Sequence, residues 1–168
     1  MKAPTPIAAA IAVLALLGLA APLHAADVQP WPWKEKGPVD PALALLTKID
    51  DVTVTVNDKT QPATVAISVK AVAPNPKFTE LQLAYRMGDT QDLTFEFDAR
   101  GRPPQDMTTQ VETPVTITAE FANPPLAKLG IVEVYAKDNC ISYLIKEKTK
   151  TECKPRGATQ PEVTPPAQ

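Results

Sequence analysis

Histidine is almost missing from this chain. The sequence has one, His24, and it falls in an N-terminal stretch expected to be removed. Without an imidazole there is no Ser-His-Asp or Cys-His arrangement and no ordinary general base near neutral pH. Cysteine is nearly as scarce. The two present, Cys140 and Cys153, cannot by themselves close a tetrahedral zinc site. The six glycines form no phosphate-cradling loop. Basic residues are not in excess either: 17 Lys and Arg stand against 19 Asp and Glu, for a net charge of −2. Nucleic acid, which needs a basic footprint, is therefore not expected as a partner. Paired carboxylates such as Glu96 and Asp98 fall two apart on one strand face, and a charged outer face is the simpler account. Asp50-Asp51 and Asp89 with Asp92 could offer oxygen to calcium, but neither pair opens an EF-hand loop. These absences point to a protein that is not an enzyme and needs neither metal nor cofactor.

Long apolar runs are also lacking, with one exception. Ile7–Ala21 is fifteen almost unbroken apolar residues, short of the roughly 20 that span a bilayer. Lys2 precedes it, Pro22 breaks it, and Leu23-His24-Ala25-Ala26-Asp27 offers small residues to a peptidase. That is the three-part pattern of a secretory signal, with cleavage expected after Ala25 (or Ala26). No cysteine follows the run, so it is not a lipoprotein signal. Once residues 1–25 are removed, no transmembrane segment is left, and the destination is the periplasm or the exterior. In that oxidising setting two cysteines suggest one disulfide.

What is abundant is proline: 19 in 168 residues, far above the usual ~5%, and gathered toward the ends. Residues 26–40 form an arm in which Trp31 and Trp33 alternate with Pro30 and Pro32. No regular helix or central strand fits there. The two indoles either pack over one end of the body or belong to a docking surface. Residues 154–168 have no apolar period and read as a disordered tail. The folded body is 41–153.

At its start, Asp40-Pro41 has helix-capping chemistry. A short helix to about Lys48, or equally an irregular turn, is expected, with Leu43, Leu46 and Ile49 plugging the core. From Val52 the period is two. Val52/Val54/Val56, Val65/Ile67/Val69, Leu81/Leu83/Tyr85, Leu93/Phe95/Phe97, Val115/Ile117/Ala119/Phe121 and Val132/Val134/Ala136 alternate with polar residues, and Cys140–Ile145 adds a further run. Each reads as a half-buried strand. About seven such strands without helices between them predict an all-β, antiparallel sandwich. Arg100–Glu112 has no period and is the longest internal loop.

Val132-x-Val134-x-Ala136-x-Asp138-Asn139 resembles the penultimate strand and following turn of bacterial immunoglobulin-like and fibronectin III-like domains. Leu81-x-Leu83-x-Tyr85-Arg86 is similar to one of their central strands. After Asn139 the pattern departs, because Cys140 stands where a small residue or glycine is usual. The resemblance implies a fold and no function.

If Cys140–Ile145 and Lys148–Cys153 pair as a hairpin, through a two- or four-residue loop, the two cysteines lie directly opposite, with Cα atoms about 4.5 Å apart in a non-hydrogen-bonded pair. A structural bridge is one reading. A redox-active pair, its thiolate helped by nearby lysines, is the other. No close Cys-x-x-Cys spacing favours the second. For function the sequence supports an exported, non-catalytic module that engages a protein partner. Candidate contacts are Arg100 and Arg102 in the long loop, and Trp31 and Trp33 in the arm. The alternatives are a thiol–disulfide protein and a small secreted hydrolase inhibitor that inserts the Arg100 loop.

Overall fold

The computed structural model describes residues 28–32, 40–86 and 93–153. The signal segment, Trp33, Asp89, Asp92 and the tail lie outside these. Ten strands are present: β1 Val28–Pro30, β2 Ala44–Leu45, β3 Lys48–Asn57, β4 Thr64–Ala73, β5 Thr79–Tyr85, β6 Thr94–Arg102, β7 Thr113–Ala122, β8 Ile131–Tyr135, β9 Cys140–Leu144 and β10 Thr149–Cys153. They make two sheets. The first has the order β1-β7-β4-β3. The second runs β10-β9-β8-β6, with β5 on one edge of β6 and β2 continuing the edge that β8 begins.

The fold is all-β, but its sheets are mixed, which corrects the expectation of purely antiparallel pairing. β1 lies parallel to β7, and β6 parallel to β8. The second pair follows from connectivity. Between β6 and β8 the chain crosses to the other sheet as β7 and returns, so it re-enters the second sheet in its original direction. Alternation records which face a residue takes, not the direction of its neighbour.

Of the helix and the irregular turn expected at Asp40, the turn forms, and a distant sheet edge decides it. Asp40 caps one turn: its Oδ1 accepts the Ala42 N–H at 2.9 Å and its carbonyl accepts the Leu43 N–H at 3.0 Å. The turn goes no further, because a sheet edge competes for the next groups. Ala44 and Leu45 pair with Gly101 and Arg100, and the Leu46 N–H donates to the Ala99 carbonyl at 2.9 Å. A helix of two turns cannot match that gain, since helix nucleation is costly and short helices are marginal. Leu43, Leu46 and Ile49 are nevertheless all buried, so the plugging role survives in another conformation.

The chain then changes sheets. The Thr47 N–H donates to Val72 on β4, while the Leu46 and Thr47 carbonyls accept from Lys137 and Asp138. Asn139 completes the joint. Its side-chain amide accepts from the Ile49 N–H at 2.7 Å and donates to the Ile49 carbonyl at 2.8 Å. A side-chain amide thus takes the place of a strand neighbour for one residue of β3.

The core lies between the inner faces, with Val52, Val65, Ile67 and Val69 from one sheet meeting Phe95, Phe97, Val132 and Val134 from the other. Trp31 enters it from the arm. Its ring sits edge-on to Phe95, Phe97 and Phe121, with centroids 5.0, 6.2 and 5.5 Å away. It is 6% exposed. The arm therefore packs, with Val28–Pro30 laid along β7 and the indole dropped between the sheets.

Candidate functional site

Arg100 and Arg102 are not on a loop. β6 continues through both, because β5 offers a partner strand as far as Arg102. The irregular connection is thus 103–112. Arg100 donates from Nε and Nη2 to Asp98 Oδ2 at 3.1 and 2.8 Å, and from Nη1 to the Leu43 carbonyl at 3.0 Å. Arg102 is clamped between Asp40 Oδ2 and Glu80 Oε1, both at 2.8 Å. The Glu80 carboxyl is held below its usual range chiefly by Arg102. Asp40 is lowered first by the Ala42 N–H and then by Arg102, while Arg102 is raised by both carboxylates. Neither arginine stands out as a free cation, and an inserted inhibitory loop would need one.

The outer face of the second sheet is also unlike a solvated surface. Glu96 and Asp98 lie on this charged face, as expected, but are buried within it. Arg86 lies 3.8 Å from Asp98 Oδ1 and 4.5 Å from the centre of the Tyr135 ring. Tyr135 and Ser142 donate to the two oxygens of Glu133 at 2.6 and 2.7 Å. A ribbon of ion-paired, cation–π and hydrogen-bonded groups thus runs from the end of β5 across β6, β8 and β9. Its carboxylates are engaged, and such a network fixes strand register more readily than it reacts. Asp50 and Asp51, weighed for calcium, are tied to Lys48 and Lys150 respectively. Among the described residues no group of three or more potential ligands is placed to hold a metal ion.

The cysteines face each other as the register requires. Cys153 pairs with Cys140 across β10 and β9. They form a disulfide with Cα atoms 5.3 Å apart, wider than the 4.5 Å expected and well within bridging range. The connection is the four-residue form of the loop, 145–148, with Lys148 at φ 54°. Cys140 is fully buried and Cys153 half-buried.

One end of the sandwich carries the feature that sequence reasoning missed. The β4–β5 connection supplies Pro74, Asn75 and Phe78, and the β6–β7 loop supplies Pro103, Pro104 and Met107, to a cleft of about 420 Å³. Thr108 also lines it, and its hydroxyl is buried without a partner. Asn75 is itself buried; its Oδ1 accepts the Lys77 N–H at 3.0 Å. Two apolar side chains of the loop are wet: Met107, on the cleft's rim, is fully exposed and Val111 is 55% exposed. Comparison with protein-family models, curated proteins and solved structures finds no match. Pro74-Asn75-Pro76 reads in the sequence only as a strand break. The one usable signal was Met107, an apolar residue in a polar loop. Chemically the cleft offers apolar walls, one unpaired hydroxyl and the Asp106 carboxylate, which suits binding. Among the described residues no helix is long and apolar enough to cross a membrane.

Proposed function

We infer that this chain is an exported, non-catalytic binding module of immunoglobulin-like kind that engages a protein partner through its 103–112 loop end. The observation that carries the reading is Met107. A fully exposed methionine beside half-exposed Val111 costs hydration free energy in a free protein, and flexible thioethers are over-used at binding surfaces. The loop is held at both ends by long strands, so its tip is presented from a firm base. Export is supported by the N-terminal apolar pattern and by the disulfide. The immunoglobulin-like assignment rests on the sequence resemblance and on the early strand that passes from one sheet to the other.

The other readings have less support. A thiol-exchange role would have to enter through half-buried Cys153, since Cys140 is fully buried. A hydrolase inhibitor needs an offered side chain, and both arginines are ion-paired. Docking through Trp31 would require its ring to leave the core. The test is a photo-crosslinking residue at Met107 in the cell that makes the protein. One dominant protein adduct is expected, lost when Val111→Glu is added. An unlabelled chain, with no adduct at 107, would refute the reading.

A further inference from the structure

Among the described residues the two sheets present four edges, and three of them carry guarding devices. β1 has only three residues and ends in Pro30, and where it stops the edge passes to β7, which carries Pro114. β5 is broken by a register shift between Thr79 and Gln82, with Glu80 at φ 49°. β10 presents exposed Lys150 and Glu152. Short length, proline, bulges and charge are the devices by which edge strands avoid pairing with other chains. β3 has them only in its first residues, where Asp50 and Asp51 are ion-paired, Asn139 binds Ile49, and the bulge between Ile49 and Asp51 interrupts the ladder. From Val52 to Asn57 the strand is uncharged, free of proline and glycine, and in unbroken register with β4.

The sequence of this open stretch names its occupant. Val52-Thr53-Val54-Thr55-Val56 reads the same in both directions. We propose that β3 pairs with β3 of a second copy, antiparallel and centred on Val54, through this palindrome. Val54 then meets Val54, Val52 meets Val56 and Thr53 meets Thr55. Valines stay on the core face and threonines on the outer face of one continuous sheet of eight strands. Matched β-branched and Thr–Thr pairs are favourable cross-strand neighbours. Burial along β3 fits an unfinished edge: Val52 is fully buried, Val54 7% exposed, and Val56 half-buried. The pairing also has a natural end. Asp51 would face Asn57, and one step further Asp50 would face Asp58, a like-charge pair that stops extension. A two-fold contact of this kind closes on itself and builds no fibre. It leaves the 103–112 loop uninvolved and is independent of the binding role inferred above.

The test is sedimentation of the purified chain, as processed by the cell that makes it, over a wide concentration range. The mass is expected to rise from monomer to dimer. T53K/T55K places lysines opposite each other twice, and the dimer is lost. T53K/T55E places each lysine opposite a glutamate in this register alone, and the dimer returns. Both positions are exposed, and circular dichroism checks the fold. Should either variant fail to fold, amide exchange on the unaltered chain decides. Exchange at 52–56 must slow as concentration rises. A wild-type chain monomeric throughout, a dimer that survives T53K/T55K, or one that T53K/T55E does not restore overturns the proposal.

Discussion

Arg102 shows how far a residue's role depends on where its strand ends. Two residues beyond Arg100, it was expected on a long, irregular cationic loop. Because β6 runs on, its guanidinium instead bridges Asp40, at the turn that begins the body, and Glu80 on β5. Both carboxyls titrate below their unfolded values. The linkage then has a definite sign. A carboxyl with a depressed folded pKa stabilises the fold fully above its unfolded value, near 4. That contribution disappears as pH falls through the folded value. Arg102→Gln should therefore lower the urea midpoint near neutral pH, and the gap from wild type should narrow as pH falls below the carboxylates' unfolded value. The Ala42 N–H, the first support of Asp40, is present in both chains and drops out of the difference. Both carboxylates are exposed and Arg102 is about one-third exposed, so the effect is small and screened by salt. A gap that stays constant with pH would mean that the clamp contributes packing and not charge.

Among the elements, β10 is the least anchored. Four of its five residues are exposed and none brings an apolar side chain to the core. Its attachments are the ladder to β9, the Lys150–Asp51 pair and the disulfide. Closing a loop of this size is worth about 3 kcal/mol on the chain-entropy model. C140A/C153A should lower stability by about that amount. Amide protection should vanish in β10 first, while β6 and β8 keep theirs. Uniform loss across the fold would show that β10 does not open separately. This hairpin was also the element most legible in the sequence. Its register follows from arithmetic on two cysteine positions and a turn. That the turn at Asp40 would not extend into a helix was not legible, because the competitor, the Gly101 edge of β6, lies some sixty residues away in the chain. The cleft was invisible for the same reason: Phe78 and Pro103 are brought together by the β5–β6 pairing, which no local pattern records.

For the molecule as a whole, the decisive contact is made by the arm. Alternation located the long strands but left residues 26–40 either over one end of the body or on a docking surface, since an arm rich in proline has no period to read. Yet Trp31 occupies the space between the sheets where Phe95, Phe97 and Phe121 converge, and Val28–Pro30 extends the first sheet. Its indole N–H is buried without a partner, so the site is selected for bulk and not for hydrogen bonding. That distinction can be measured. Trp31→Ala removes a packed aromatic from the core centre and should cost about 3–5 kcal/mol. Trp31→Phe leaves a smaller ring but also removes an unpaired donor, whose burial costs about 1–3 kcal/mol. The two effects oppose, so Trp31→Phe should lower the urea midpoint far less than Trp31→Ala. If both substitutions cost the same, the N–H has a partner in solution and the indole is held by more than its volume. If neither costs anything, the arm is not seated, and the sandwich closes over Phe95 and Phe121 without it.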